Sequence, residues 1–121
     1  MTTKDIGNRG EDVAVSFLRD KGWTILERNW LCPYGELDVV GQTAEGLLVF
    51  LEVKFRSSTK FGGGLAAVTP AKLKKMKRAS ALWMQQNRPR ISSTRNEYPC
   101  VRFDVIDVGP EGIRHHLEGV L

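Results

Sequence analysis

Leu47-Leu48-Val49-Phe50-Leu51-Glu52-Val53-Lys54-Phe55 is five apolar residues running into an alternation of charged and apolar ones. Read as a strand, it puts Leu48, Phe50, Glu52 and Lys54 on one face. Val49, Leu51, Val53 and Phe55 fall on the other, because successive side chains alternate. A strand apolar on both faces is packed on both sides, so residues 47–55 belong in the middle of a sheet with a layer against each face. Charges at the end of such a strand are costly unless they are paired or bound to a metal.

Upstream lies Gly35-Glu36-Leu37-Asp38, which opens a second strand over 36–41. The connection Gly41-Gln42-Thr43-Ala44-Glu45-Gly46 is short and glycine-bounded, which predicts a hairpin. Thirteen residues separate Asp38 from Glu52, and the hairpin folds that gap back so that Asp38 can stand beside Glu52. The pattern is D-x13-E-x-K. Two carboxylates and an ammonium so placed can hold a divalent cation and position a water, the core requirement for cutting a phosphodiester. An E-x-K on a strand is by itself most often a surface ion pair of little energy. The aspartate at hairpin distance and the apolar run leading in are what lift this one above that.

Working outward, residues 8–21 read as a helix with Asn8 as N-cap, an apolar face of Val13, Ala14, Phe17 and Leu18, and Gly22 as the stop. Glu11 lies at the edge of that face, and its plain structural reading is a first-turn carboxylate suited to the helix dipole. Residues 23–30 read as a strand and Cys32-Pro33-Tyr34-Gly35 as a turn. Residues 56–68 are a loop with Gly62-Gly63-Gly64. Thr69 and Pro70 are N-cap and first residue of a second helix, which ends before Pro89. Its apolar stripe is Leu73, Met76, Ala79, Trp83 and Met84. Lys74, Lys75 and Arg78 fall opposite, Lys72 and Lys77 flank the stripe, and Leu82 lies on the basic side. Residues 88–99 are polar and irregular, 101–108 form a fourth strand, and a short strand around 112–118 follows Gly109-Pro110. The order α-β-β-β-α-β plus a trailing strand predicts an α/β fold, a mixed sheet with helices on both faces. With no linker or repeat, residues 1–121 read as one domain.

Composition narrows the classes. No apolar run approaches the ~18 residues of a membrane span. Residues 1–5 lack a secretory core, and Cys32 and Cys100 have no C-x-x-C spacing, so reduced thiols and a cytoplasmic location are expected. The net charge of +4 and pI of about 9.3 permit a polyanionic partner. His115 and His116 are adjacent, so on a strand they face opposite ways and cannot chelate one metal; solvated edge positions are expected for both. Asp104 and Asp107 read as supporting or edge residues. Ser57-Ser58 has no histidine nearby in sequence, and no Walker loop is present.

The element order and D-x13-E-x-K resemble the restriction-endonuclease-like fold with its PD-(D/E)xK motif. G-N-R-G-E at 7–11, G-E-L-D at 35–38, E-V-K-F-R at 52–56, A-V-T-P-A-K at 67–72 and R-F-D-V-I at 102–106 resemble the bacterial YraN family, which is similar at a distance to archaeal Holliday-junction resolvases. The resemblance spans nearly the whole chain and implies a restriction-endonuclease-like αβββαβ core. It implies that Asp38 and Glu52 are metal ligands, that Lys54 orients or activates water, and that Glu11 approaches the metal from the first helix. Leu37 stands where the motif has proline, its least chemically necessary member. The function expected is a Mg2+- or Mn2+-dependent endonuclease acting on DNA, branched or otherwise structured, with the Val53 carbonyl as a further metal ligand. Arg9, Arg56, Lys72, Lys74, Lys75 and Arg78 are the expected nucleic-acid contacts. The alternatives are a nucleic-acid-binding or adaptor protein on a nuclease fold with little or no catalysis, and a scaffold that binds another protein. Cutting two strands symmetrically needs two sites, for which a homodimer through Leu82, Trp83 or the strand at 112–118 is the simplest arrangement.

Overall fold

The structure is a computed structural model, and it describes residues 3–55, 69–88 and 101–120. Its elements are α1 (Thr3–Asp20), β1 (Thr24–Cys32), β2 (Gly35–Gln42), β3 (Leu48–Phe55), α2 (Pro70–Gln86), β4 (Val101–Gly109) and β5 (Gly112–Leu117). The five strands form one mixed sheet in the order β1-β2-β3-β4-β5. All neighbours are antiparallel except β3 and β4, which run parallel and are joined through α2. This is the α/β architecture expected, a five-stranded mixed sheet with two helices, consistent with a restriction-endonuclease-like core.

β3 is the central strand, and its two faces are both buried. Val49 and Leu51 pack with Ala14, Val15 and Leu18 of α1 and with Ile106 and Val108 of β4. Leu48 and Phe50 pack with Ala79 and Trp83 of α2 and with Val40 of β2. Each such side chain contributes roughly 1.5–3 kcal/mol on burial, so these two layers hold the sheet between the helices. Trp83 also donates from Nε1 to Glu27 Oε1 at 3.1 Å, tying α2 to β1.

α1 starts at Thr3, so Asn8 lies inside the helix and not at its cap, and Glu11 is a mid-helix residue. Its buried stripe is Glu11, Ala14, Val15 and Leu18, the i, i+3, i+4, i+7 pattern of a helix face. Val13, expected on that face, is exposed. Gly22 ends the helix with φ at +87°, and the Trp23 amide donates back to the Leu18 carbonyl at 3.1 Å. At α2 the Thr69 hydroxyl accepts from the Lys72 amide at 3.2 Å, with Pro70 in the first turn, as the sequence predicts. Leu82 is half-buried and not an exposed leucine on the basic side.

The two histidines do face opposite ways, but only His115 is exposed. His116 Nε2 lies 2.8 Å from Asp104 Oδ2, and its ring meets Phe17 and Trp23 edge-on. Asp104 is fully buried and also accepts two bonds from Arg102 and one from the Gly119 amide. A buried carboxylate needs such partners, and these hold Asp104 below its ordinary range against the cost of burial. Arg56, Gly62-Gly63-Gly64, Cys100 and residues 89–99 lie outside the described residues.

Candidate metal centre

The β2–β3 ladder pairs Val39 with Leu51 and goes no further toward residue 38. Leu37 and Val40 belong to the α2 layer while Val39 belongs to the α1 layer, so the alternation slips at Asp38. In place of a ladder bond, Asp38 Oδ2 accepts from the Val53 amide at 2.8 Å. The bond joining Val53 to Asp38 thus uses its amide, where the sequence expectation assigns Val53 its carbonyl.

Asp38 has three carboxylate neighbours, Glu11, Glu36 and Glu52. Oxygens of Glu11, Glu36 and Asp38 all lie within 4.8 Å of one another. Burial pushes the Asp38 carboxyl up to about 7, the nearby charge of Glu52 adds to the rise, and the Val53 amide opposes it. Burial also raises Glu11, opposed first by Arg28. Glu11 Oε1 is buried without a hydrogen-bond partner, and the Arg28 guanidinium stays 3.9 Å away. Three clustered oxygen donors, one of them buried without a hydrogen bond, are a set that a hard divalent cation such as Mg2+ or Mn2+ fits.

Glu52, expected with Asp38 as a metal ligand, is not one of those three oxygen donors, but its charge is near enough to raise the Asp38 carboxyl. It is buried and bridges two ammonium groups, Lys54 at 2.9 Å and Lys72, which reaches down from the first turn of α2. Burial pulls Lys72 down, but the hydrogen bond from Lys72 to Glu52 and the charges of Glu52 and Asp38 leave it above the ordinary lysine value. The sequence reading leaves out Glu36 and gives Lys72 only a nucleic-acid role. Glu36 sits inside Gly35-Glu36-Leu37-Asp38, and its spacing of two from Asp38 is the signal that points to proximity on a strand. Lys72, expected at nucleic acid, is half-buried against the carboxylate of Glu52.

Beside these groups is a cleft of about 90 Å3 lined by Tyr34, Glu36, Glu52, Lys72, Lys75 and Met76. Ligand pockets that engulf a small molecule are ~300–1,000 Å3, so a substrate here would lie across the cleft and not within it. Lys75 of this lining is exposed, as are Arg9 on α1 and Lys74 and Arg78 on α2. Gly10 sets the approach of α1: a Cβ on it would stand 3.1 Å from the Cβ of Phe55 at the end of β3.

Residues 10–108 match the model of the uncharacterised protein family UPF0102. The chain belongs to that family. It is the YraN family of the sequence resemblance. A UPF0102 protein of Mycolicibacterium gilvum is 41% identical over 120 residues, covering 98% of this chain and 95% of its own. One of Bifidobacterium longum subsp. infantis is 40% identical over 121 residues, covering 98% and 94%. One of Neisseria gonorrhoeae is 44% identical over 82 residues, covering 68% and 70%. The UPF0102 match takes in Glu11, Glu36, Asp38, Glu52, Lys54 and Lys72 together. No helix among the described residues is long and apolar enough to cross a membrane.

Proposed function

We propose that the protein is a Mg2+- or Mn2+-dependent endonuclease that hydrolyses phosphodiesters in DNA, with branched or otherwise structured DNA as the expected substrate. The observation that carries this reading is the buried Glu11 oxygen, without a hydrogen bond, beside Asp38 and Glu36, next to a carboxylate flanked by two ammonium groups. Glu11, Glu36 and Asp38 would hold the cation, which when bound polarises the phosphate and lowers the pKa of a water. Glu52 holds Lys54 and Lys72, and Lys72 lines the cleft. These ammonium groups offset the charge of a phosphate entering there, and Lys54 positions the attacking water. Val53 orients Asp38 through its amide. Exposed Lys74, Lys75 and Arg78 extend the positive surface along α2 for the flanking phosphates.

The test is a cleavage screen over linear, flapped and four-way DNA with Mg2+, Mn2+ or Ca2+. Turnover is expected with the first two and binding without turnover with Ca2+. Asp38→Ala and Glu52→Ala should abolish cutting with the fold intact; activity persisting in both variants rules the assignment out. A two-fold dimer would supply paired sites for a four-way junction, and light scattering with and without that DNA reads it directly.

A second reading has one observation in its favour. Glu52 is already neutralised by Lys54 and Lys72 without any cation, which suits a nucleic-acid-binding or adaptor protein on a nuclease fold. Salt-dependent DNA affinity with no turnover under any metal would select it.

A further inference from the structure

We propose that the tip of the β1–β2 hairpin is a nucleobase platform, on which Tyr34 stacks an unpaired base beside the cleft and Leu31 wedges next to it. The site then acts on nucleic acid that is single-stranded or splayed at the bound position. The inference rests on the nucleic-acid reading above and names the form of the substrate.

The hairpin is tight. Cys32 pairs with Gly35, leaving only Pro33 and Tyr34 in the loop, and Gly35 takes φ at +130°, which suits a residue without a side chain. An apolar residue at such a tip has little to pack against. Leu31 is 76% exposed and Tyr34 43% exposed. Across the hairpin Leu31 pairs with Glu36, so the two side chains share a face, and Leu31 stands next to a carboxylate of the cluster. Tyr34 itself lines the cleft with Glu52, Lys72 and Lys75. An exposed aromatic ring thus shares one small cleft with two ammonium groups.

The charge of the surroundings selects the occupant. α2 carries five lysines and arginines between Pro70 and Gln86 and no acidic residue; Lys72 pairs with Glu52, and the exposed Lys74, Lys75, Lys77 and Arg78 leave a helix that attracts a polyanion. A cleft of about 90 Å3 cannot enclose a nucleotide, which leaves a base at its rim, where the tyrosine is. An exposed ring beside a cationic groove is how single strands are held without sequence preference, since every base has a face to stack. A base inside a continuous duplex is already stacked on its neighbours and cannot use the ring without leaving them. Tyr34 is two residues from Glu36 on the same hairpin, so a base stacked there fixes its own phosphate relative to the carboxylates.

The experiment is binding of the full chain in Ca2+ to three labelled DNAs of one sequence: a single strand, a flapped duplex and a blunt duplex. A 2-aminopurine at the flap junction reports stacking. The wild type should bind the single strand and the flap at least about fivefold more tightly than the blunt duplex, the lower end of what one stacked base contributes. Tyr34→Ala should remove that preference and the 2-aminopurine quenching while blunt-duplex affinity stays within about twofold, and Tyr34→Phe should retain both. Leu31→Ala should weaken only the flap. A wild type that binds all three alike, or a Tyr34→Ala variant that keeps preference and quenching, overturns the platform and leaves the nuclease reading standing. A wild type that binds none of the three overturns both.

Discussion

Replacing Asp38 by asparagine should make the ion-free protein more stable above neutral pH. In the folded chain burial and the charge of Glu52 lift the Asp38 carboxyl from 3.8 to about 7. The unfolded chain releases that proton near the ordinary value, so between about pH 4 and pH 7 the folded state binds more protons. Stability therefore falls as pH rises through this window and levels off above about 7. At 1.36 kcal/mol per pH unit, the rise amounts to an upper bound of about 4 kcal/mol lost by pH 8. Asparagine has no proton to lose and keeps an oxygen to accept from the Val53 amide, now held at 2.8 Å by Asp38. Urea unfolding in EDTA should show Asp38→Asn gaining roughly 1–4 kcal/mol at pH 8 and nearly nothing at pH 4.5. Adding Mg2+ at pH 8 should stabilise the wild type and leave the variant unmoved, because a ligand that binds only the folded state raises its stability. A variant no more stable than wild type at pH 8, or one with the same advantage at both pH values, would refute the argument that burial and the charge of Glu52 outweigh what favours the ionised Asp38.

Lys54→Ala should lower turnover by about 100-fold or more, the size of losing one charged group aimed at the reacting centre, while calorimetric titration shows Mn2+ affinity unchanged or higher. Reversing Lys74, Lys75 and Arg78 together to glutamate should flatten the salt dependence of DNA binding by up to about 2.7 in log–log slope, near 0.9 for each phosphate no longer neutralised. Asp104→Ala should cost about 3–5 kcal/mol in a urea melt, since it removes the buried carboxylate that Arg102, His116 and the Gly119 amide share, and the metal titration of the folded variant should not change.

The framework is legible because it rests on period and punctuation. The two apolar faces of 47–55 can only be buried in the centre of a sheet, and the glycine-bounded turn at 41–46 returns the chain so that Asp38 comes level with Glu52. What the pattern hides is instructive. The first turns of α1 are polar, with no apolar spacing to announce a helix, so Asn8 reads as its start. Val15 and Val13 are two apart and both apolar, and only the helix's rotation against the sheet decides which is buried. Glu11 keeps helical step with Ala14, Val15 and Leu18, a carboxylate on a core stripe, and that is the readable sign of its burial. His116 reads as solvated because its partner, Asp104, lies on another strand and its ring contacts come from α1 and the residue before β1. Strand geometry alone puts Glu52 on one face with Lys54; its second ammonium, Lys72, comes from α2 and is twenty residues away in sequence, beyond the reach of any local pattern.

Gly10 has a consequence for which ion this centre would prefer. With no side chain it lets α1 settle against Phe55, where an added Cβ would meet the Cβ of that side chain at 3.1 Å and demand a few tenths of an ångström of retreat. Glu11 is the next residue, and it would retreat with the helix. The difference between the oxygen distances of Mg2+, ~2.0–2.1 Å, and of Ca2+, ~2.3–2.6 Å, is of the same size. Helix α1 is then a caliper, and the glycine sets its gap: Gly10→Ala should shift relative affinity from the smaller ion toward the larger, a change that competition between Mg2+ and Ca2+ can read without any nucleic acid present.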